Sequence, residues 1–484
     1  MQSDEIARIV AEVLQRLEKE ELGSVLTAAP APAAISQPSG CGGVVYPTVD
    51  AAVQVAQKAQ AAFQEQGLEV RRAVIRAMRK AAVANAERLA KMAREETGLG
   101  RWEDKVQKNL VCATRTPGVE DLTSRAYTGD LGLTLVEYAP YGVVAAVTPS
   151  TNPAATIINN SISILSAGNA VVFAPHPASF RTCVETMSLL CEAAMQAGAP
   201  RGLISTYEKA SQENTKALLA HPDVRVNMVT GGPAIVKVAM TVGKTCKTIA
   251  AGPGNPPAVV DETAIFPQCA SDIIFGASFD NGVLCTAEKE TIVVEAAKER
   301  FLAAMRQDPR AYELNASQMD QLTKLVIKEG GKGCKVPVLN RDFIGKDAAV
   351  IASGIGLVVP EGTRLLWSLV GNDHPFVWTE QLMPVMPVTV VQDVAAAIVL
   401  AQAVEGGHKH TASMHSTNVA NLTTMGRRMQ CSIYVKNAPT LYGLGLGEGY
   451  ATMSIGTPTG DGLTKTSHFA RPLHCALVGY FRIA

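Results

Sequence analysis

Apolar positions first recur at helical spacing over residues 3–20, where Ile6, Ile9, Val10, Val13, Leu14 and Leu17 share one side of an amphipathic helix. Ser3 is placed to cap it, and Asp4 and Glu5 favour its N-terminal end. Composition then changes. Residues 21–44 read as a linker, because 23–43 are rich in Ala, Pro, Gly and Ser and carry no charged residue. A greasy stripe on a tether suits docking into a partner's groove. The alternative is that it folds back on its own chain or on a neighbouring subunit. Ala-rich stretches with Arg and Lys at intervals predict helices through 50–115, with a break near Gly67. Residues 124–138 alternate around Thr128-Gly129-Asp130 and predict a hairpin.

From residue 142 the pattern becomes strand, turn and helix in repetition. Strands are expected at Gly142–Thr148, Ala170–Ala174, Leu203–Thr206, Arg225–Thr230 and Thr248–Ala250. Helices are expected at Ala154–Ser166, Ser179–Ala197, 212–220 and 233–242. A second series follows: strands Ala258–Val260, Thr291–Glu295 and Ile355–Val359, with helices near 268–279, 297–306 and 317–329. The fold class is therefore α/β, with two doubly wound domains and ligands at strand ends. The first domain takes 45–123 and 139–251, the second 252–436, and 437–462 returns to the first. The hairpin 124–138 and the strand-like tail 463–484 form a small β element for oligomerisation.

The chain's 484 residues exceed one core, and 47% hydrophobic with 18% charged residues fits a well-buried globular protein. Lys plus Arg equals Asp plus Glu at 44 each, so no net charge drives binding to nucleic acid or to an anionic membrane. Ten cysteines without a CxxC pair read as reduced and cytosolic, and no metal site is expected. The start lacks the basic-then-apolar pattern of a signal peptide. Tyr138–Phe180 has no Asp, Glu, Lys or Arg, but Pro, Asn, Ser and Gly interrupt it, so it reads as a buried core and not as a membrane span.

Four segments carry candidate chemistry. Thr148-Pro149-Ser150-Thr151-Asn152 follows a strand and precedes a helix; Asn152 there either donates its amide to an oxyanion or simply caps the helix. Thr230-Gly231-Gly232 is a second strand-to-helix turn, offering backbone amides to an anion or serving only as a tight turn. Cys285 lies in a loop after Asp280-Asn281-Gly282, where nucleophiles reside, although most cysteines are packing residues and alone this one reads as such. Glu380 stands in Glu-Gln-Leu-Met-Pro and alone reads as a surface carboxylate. GxGxxG, the usual dinucleotide fingerprint, is missing.

Taken in order, Asn152, Thr230–Gly232, Cys285 and Glu380 resemble the aldehyde dehydrogenase superfamily over roughly residues 45–470. The resemblance implies Cys285 as nucleophile, Asn152 as oxyanion donor and Glu380 as a ligand of the nicotinamide ribose. It makes the first domain NAD-binding and the second catalytic. Hydrolysing members carry a Glu where this chain has Ala251, followed by Gly252-Pro253-Gly254, so water lacks its base here. Ribose-binding Lys and Glu are replaced by Ala174 and Pro177, around Pro175 and His176, which opens the pocket to coenzyme A. Both departures resemble the CoA-acylating branch, and the N-terminal helix resembles those of enzymes packaged in bacterial microcompartments. The expectation is oxidation of a small aldehyde, propionaldehyde, by NAD and CoA in a homodimer or homotetramer, with residues 1–20 on a shell protein inside a cytoplasmic microcompartment. Alternatives are an acetaldehyde dehydrogenase of ethanolamine use, a water- or phosphate-using enzyme of the same fold, and an inactive scaffold.

Overall fold

The computed structural model describes residues 8–15, 43–242, 245–334 and 337–482. Two compact units divide them. The first comprises Met1–Glu96, Val106–Ala251 and Tyr450–Ala484, and the second Thr97–Lys105 and Gly252–Gly449. Residues 8–15 are helical, with Ile9, Val10, Val13 and Leu14 partly buried and Arg8, Ala11, Glu12 and Gln15 exposed. The expected cap at Ser3, the helix ends and most of the linker lie outside the described residues.

In the first unit a parallel sheet runs in the order Val45–Tyr46, Ile204–Tyr207, Ala170–Ala174, Val143–Val147, Val224–Thr230, Lys247–Ala251. Val143–Val147 is buried at every position, as befits a strand covered on both faces. The chain steps outward from it to 170–174 and 204–207, then returns to its other side at 224–230. That reversal makes a switch point at the ends of Val143–Val147 and Val224–Thr230, where crevices form in such sheets. Pro153–Ser166 is buried along its whole length. The hairpin Arg125–Gly129 and Gly132–Pro140 is extended by Ala470–Val478, antiparallel, into a three-stranded sheet.

In the second unit seven parallel strands run in the order Ala311–Glu313, Leu365–Leu369, Val385–Val391, Glu290–Val294, Pro257–Val260, Thr411–His415, Ile433–Lys436. The apolar run Ile355–Val359 is not a strand. It trails the helix Ala348–Ser353, Gly356 takes a left-handed φ of 72°, and Val358 is exposed. The strand is Leu365–Leu369, whose first four residues are buried. A short apolar run carries no period that separates the two.

The division also departs from the sequence reading at two places. Residues 97–105 go with the second unit because Asp280 holds them: its carboxylate accepts from the Arg101 amide (2.7 Å) and from Lys105 Nζ (3.0 Å). Residues 437–449 stay there too, with the Thr440 amide donating to Glu288 at 2.7 Å.

Candidate active site

In the first unit the candidate residues lie on the switch-point turns. Thr148 is buried, its amide bonded to the Ala174 carbonyl, while Pro149, Ser150 and Asn152 are partly exposed. Asn152 occupies the N-cap of Pro153–Ser166, yet its side chain makes no capping hydrogen bond. The plain capping reading therefore fails. Its Oδ1 instead accepts from the Lys108 ammonium, and its Nδ2 reaches Thr151 Oγ1 at 3.2 Å. At the second turn the Thr230 hydroxyl pairs with Ser454 Oγ at 2.8 Å, and the Gly231 amide is bonded to the Ala251 carbonyl. Gly232 is exposed at the N-cap of Pro233–Thr241, and a side chain added there would meet nothing within 4 Å. That leaves an open helix start facing room for an anion. Pro175 is buried and His176 exposed; His176 Nδ1 accepts from the Ala178 amide at 3.1 Å. The helix after it, Phe180–Gln196, is already filled at its start by Glu96, which accepts from the amides of Arg181 (2.8 Å) and Thr182 (2.7 Å).

In the second unit a cluster forms at the N-terminal edge of the sheet. Gly254, Cys285–Lys289, Glu380–Met383 and His410 each lead into a strand, and those strands lie side by side. Four segments remote in sequence therefore converge. The convergence is close: a Cβ on Gly254 would stand 2.8 Å from the Cys285 carbonyl oxygen and 2.9 Å from His410 Cγ. The Gly254 amide donates to Glu380.

Cys285 is partly exposed while Asn281–Leu284 and Thr286–Glu290 are buried around it. Its approach is tightly constrained. Asp280 (φ 48°), Asn281 (φ 55°) and Gly282 (φ 69°) are consecutive left-handed residues. Asn281 Nδ2 donates to the Gly345 carbonyl and to Asp347 Oδ1, both at 3.0 Å. A Cβ on Gly282 would meet the Met383 carbonyl oxygen at 2.7 Å. In contrast, burial pushes the thiols of Cys112, Cys183, Cys269 and Cys431 up to about 12, which keeps them unreactive near neutral pH.

Beneath the loop lies Lys289, only 1% exposed. Its ammonium donates to the carbonyls of Gly282 (2.6 Å) and Leu284 (3.0 Å). Burial lowers its pKa, while Glu380, Cys285, Glu288 and Glu290 oppose that shift. The same burial raises the carboxyls of Glu288 and Glu380 to about 7 and Glu290 well above its usual range. His410 is held neutral by burial, at about 3; its Nδ1 meets Thr411 Oγ1 at 2.9 Å and its Nε2 has no partner. Ala250–Pro256 carries no carboxylate. Sequence reasoning missed Lys108, Lys289, Glu288 and His410. The signal available was modest: a Glu-Lys-Glu run directly before an apolar strand, which normally reads as solvated.

The two units are thus a parallel sheet with a switch point and a second parallel sheet with a partly exposed thiol after a left-handed turn, a two-domain α/β architecture. The chain belongs to the aldehyde dehydrogenase family, whose profile matches residues 44–446. Among known proteins it is 46% identical over 443 residues to an acetaldehyde dehydrogenase (acetylating), EutE, of Salmonella typhimurium, covering 91% of this chain and 93% of that one. It is 43% identical over 444 residues to a propanal dehydrogenase (CoA-propanoylating) of Citrobacter freundii, covering 91% and 94%. The crystal structure of Rhodopseudomonas palustris propionaldehyde dehydrogenase with bound CoA and an acylated cysteine superposes with a TM-score of 0.87 at 43% identity, covering 90% of this chain and 98% of that one.

Proposed function

We propose that the protein oxidises a small aliphatic aldehyde, propionaldehyde, to its acyl-CoA, with NAD as hydride acceptor and Cys285 as the nucleophile. The observation that carries this reading is the partly exposed thiol of Cys285 on a loop held from below by Lys289. The Cys285 thiolate adds to the aldehyde carbon, forming a C–S bond and an oxyanion. Asn152 Nδ2 donates to that oxyanion, an interaction worth about 3 kcal/mol in the transition state. Loss of hydride from the carbon leaves a thioester on Cys285. NAD supplies the two-electron sink when bound; Thr148–Ser150, Thr230–Gly232 and Ala251–Gly252 would line its place, with the open start at Gly232 suited to its pyrophosphate and Glu380 to its ribose.

Release of the acyl group falls to a thiol because Ala251 offers no base to water. CoA would follow the departed cofactor, with Pro175 and the exposed His176 beside its adenine end. Its thiolate attacks the thioester carbon, and the new C–S bond forms as the Cys285 thiolate leaves. Propionaldehyde and acetaldehyde differ by one methylene, and both kinds of enzyme stand among the relatives.

The decisive assay follows NADH from C2–C6 aldehydes with and without CoA, and acyl-CoA against free carboxylate. Acyl-CoA should dominate and C285A should be inactive; carboxylate formed equally well without CoA would refute the reading. The helix at 8–15 supports docking of residues 1–20 on a microcompartment shell. Fused to a fluorescent reporter, residues 1–20 should give puncta in cells making shells, and a diffuse signal would count against docking. The sheet formed by 125–129, 132–140 and 470–478 exposes Tyr127, Leu131, Leu477 and Val478, with Tyr480 and Phe481 beyond it. Such a patch suits a second copy of the chain.

A further inference from the structure

The orientation of the Asn152 amide is not left to the cap position. Lys108 is buried, 4% exposed, on the helix Trp102–Arg115. That stretch of helix is anchored. Arg79 donates to the carbonyls of Ala113 (2.7 Å) and Thr116 (2.6 Å), and Asn109 Nδ2 donates to the Ala86 carbonyl at 3.0 Å. The Lys108 ammonium meets Asn152 Oδ1.

An ammonium carries donors only, so the amide atom facing it must be the oxygen. The other face of Asn152 must then present Nδ2, whose hydrogens are the ones an oxyanion needs. Turning the amide over would set donor against donor at a buried charge. The charge on Oδ1 also draws electron density from the amide nitrogen, making its N–H the stronger donor.

We propose that Lys108 is a positioning residue for the aldehyde-oxidising step: it locks the Asn152 side chain with its N–H outward and polarises it. This rests on the reading of Asn152 as the oxyanion donor. Lys108 itself need touch neither aldehyde nor cofactor.

The test is a double-mutant cycle on full-length protein, reading kcat and KM for NADH formation with propionaldehyde, NAD and CoA. N152A should lower kcat by about 10²–10³-fold. K108M should lower kcat roughly tenfold to a hundredfold with KM within about twofold, and K108R should recover part of it. K108M/N152A should be no slower than N152A, because Lys108 acts only through the amide. Alkylation of Cys285 by iodoacetamide makes no oxyanion, so its rate should stay within about twofold in K108M; a scaffold role would move it.

N152D guards against a K108M that does not fold. Its carboxylate still accepts from Lys108 but offers no N–H, so it should melt no lower than wild type and be as slow as N152A. A cycle whose two losses multiply, or a K108M at wild-type rate beside a slow N152A, overturns the proposal and leaves the oxyanion reading intact. An N152D that melts well below wild type also overturns it, because residue 152 would then not face the ammonium. N152A at wild-type kcat would remove the oxyanion reading and this proposal with it.

Discussion

Replacing Lys289 by Met removes the donor that holds the nucleophile loop from inside. The Gly282 and Leu284 carbonyls lose their bonds of 2.6 and 3.0 Å in a place water does not reach. Each orphaned acceptor costs about 1–3 kcal/mol, so the pair costs about 2–6 kcal/mol. Glu380, Glu288 and Glu290 also lose the positive charge that eases their burial. A loss near 4 kcal/mol lowers a melting midpoint by roughly 10 °C in a unit of this size. Calorimetry of K289M and K289R measures that fall. Iodoacetamide alkylation of Cys285 against pH measures the chemistry: without the ammonium, the profile should move to higher pH, and K289R should move it back. A K289M protein that melts within 2 °C of wild type, with an unmoved alkylation profile, would show that the ammonium neither braces the loop nor favours the thiolate.

Three further outcomes follow from the same cluster. Glu288 is raised to about 7, so between about 4.5 and 7 the native state holds a proton that the unfolded chain has released. Stability therefore falls as pH rises through that window, by up to about 3 kcal/mol at one pKa unit per 1.4 kcal/mol. Urea melts of E288Q from pH 4.5 to 8 should show a flatter slope, and an unchanged slope would assign the titration elsewhere. G254A drives a Cβ to 2.8 Å from the Cys285 carbonyl and 2.9 Å from His410 Cγ; it should cost about 1–3 kcal/mol and at least a tenfold loss in kcat, read by thermal melts and steady-state assay. A251E places a carboxylate where the chain has none; free carboxylate should then appear without CoA, measured by chromatography of the products.

Much of the scaffold was legible because periodicity reports burial. Val143–Val147, Ala170–Ala174 and Pro153–Ser166 are bounded by Gly, Asn and Pro and fall within a residue or two of their expected limits. The turns after the first sheet were legible for the same reason: a ligand edge is where such strands end. The N-terminal edge of the second sheet was not. Gly254, Lys289, Glu380 and His410 meet there only through the strand order 385–391, 290–294, 257–260, 411–415, and no local pattern encodes that order. The segment 97–105 was misassigned for a related reason. Its allegiance is decided by Lys105 and the carboxylate of Asp280, 175 positions apart and both almost fully buried.

Those two errors share a cause that also explains the site. Sequence reading assigns charged residues to the surface by default, and here the informative ones are inside. Lys105 on Asp280 holds the strained turn before the thiol, Lys289 holds the carbonyls of Gly282 and Leu284 just ahead of the thiol, and Lys108 faces Asn152. Each is an ammonium with three donors and no acceptor, so each dictates which atom its neighbour must present. Apolar residues of equal volume at both partners of each contact would fold at lower desolvation cost but would leave the turn, the loop and the amide free to take other rotamers. If that is why lysines stand at 105, 108 and 289, then volume-matched K105M, K108M and K289M should each leave a folded protein whose kcat falls further than its stability does. A set of variants in which activity tracks melting temperature alone would reduce all three to ordinary packing.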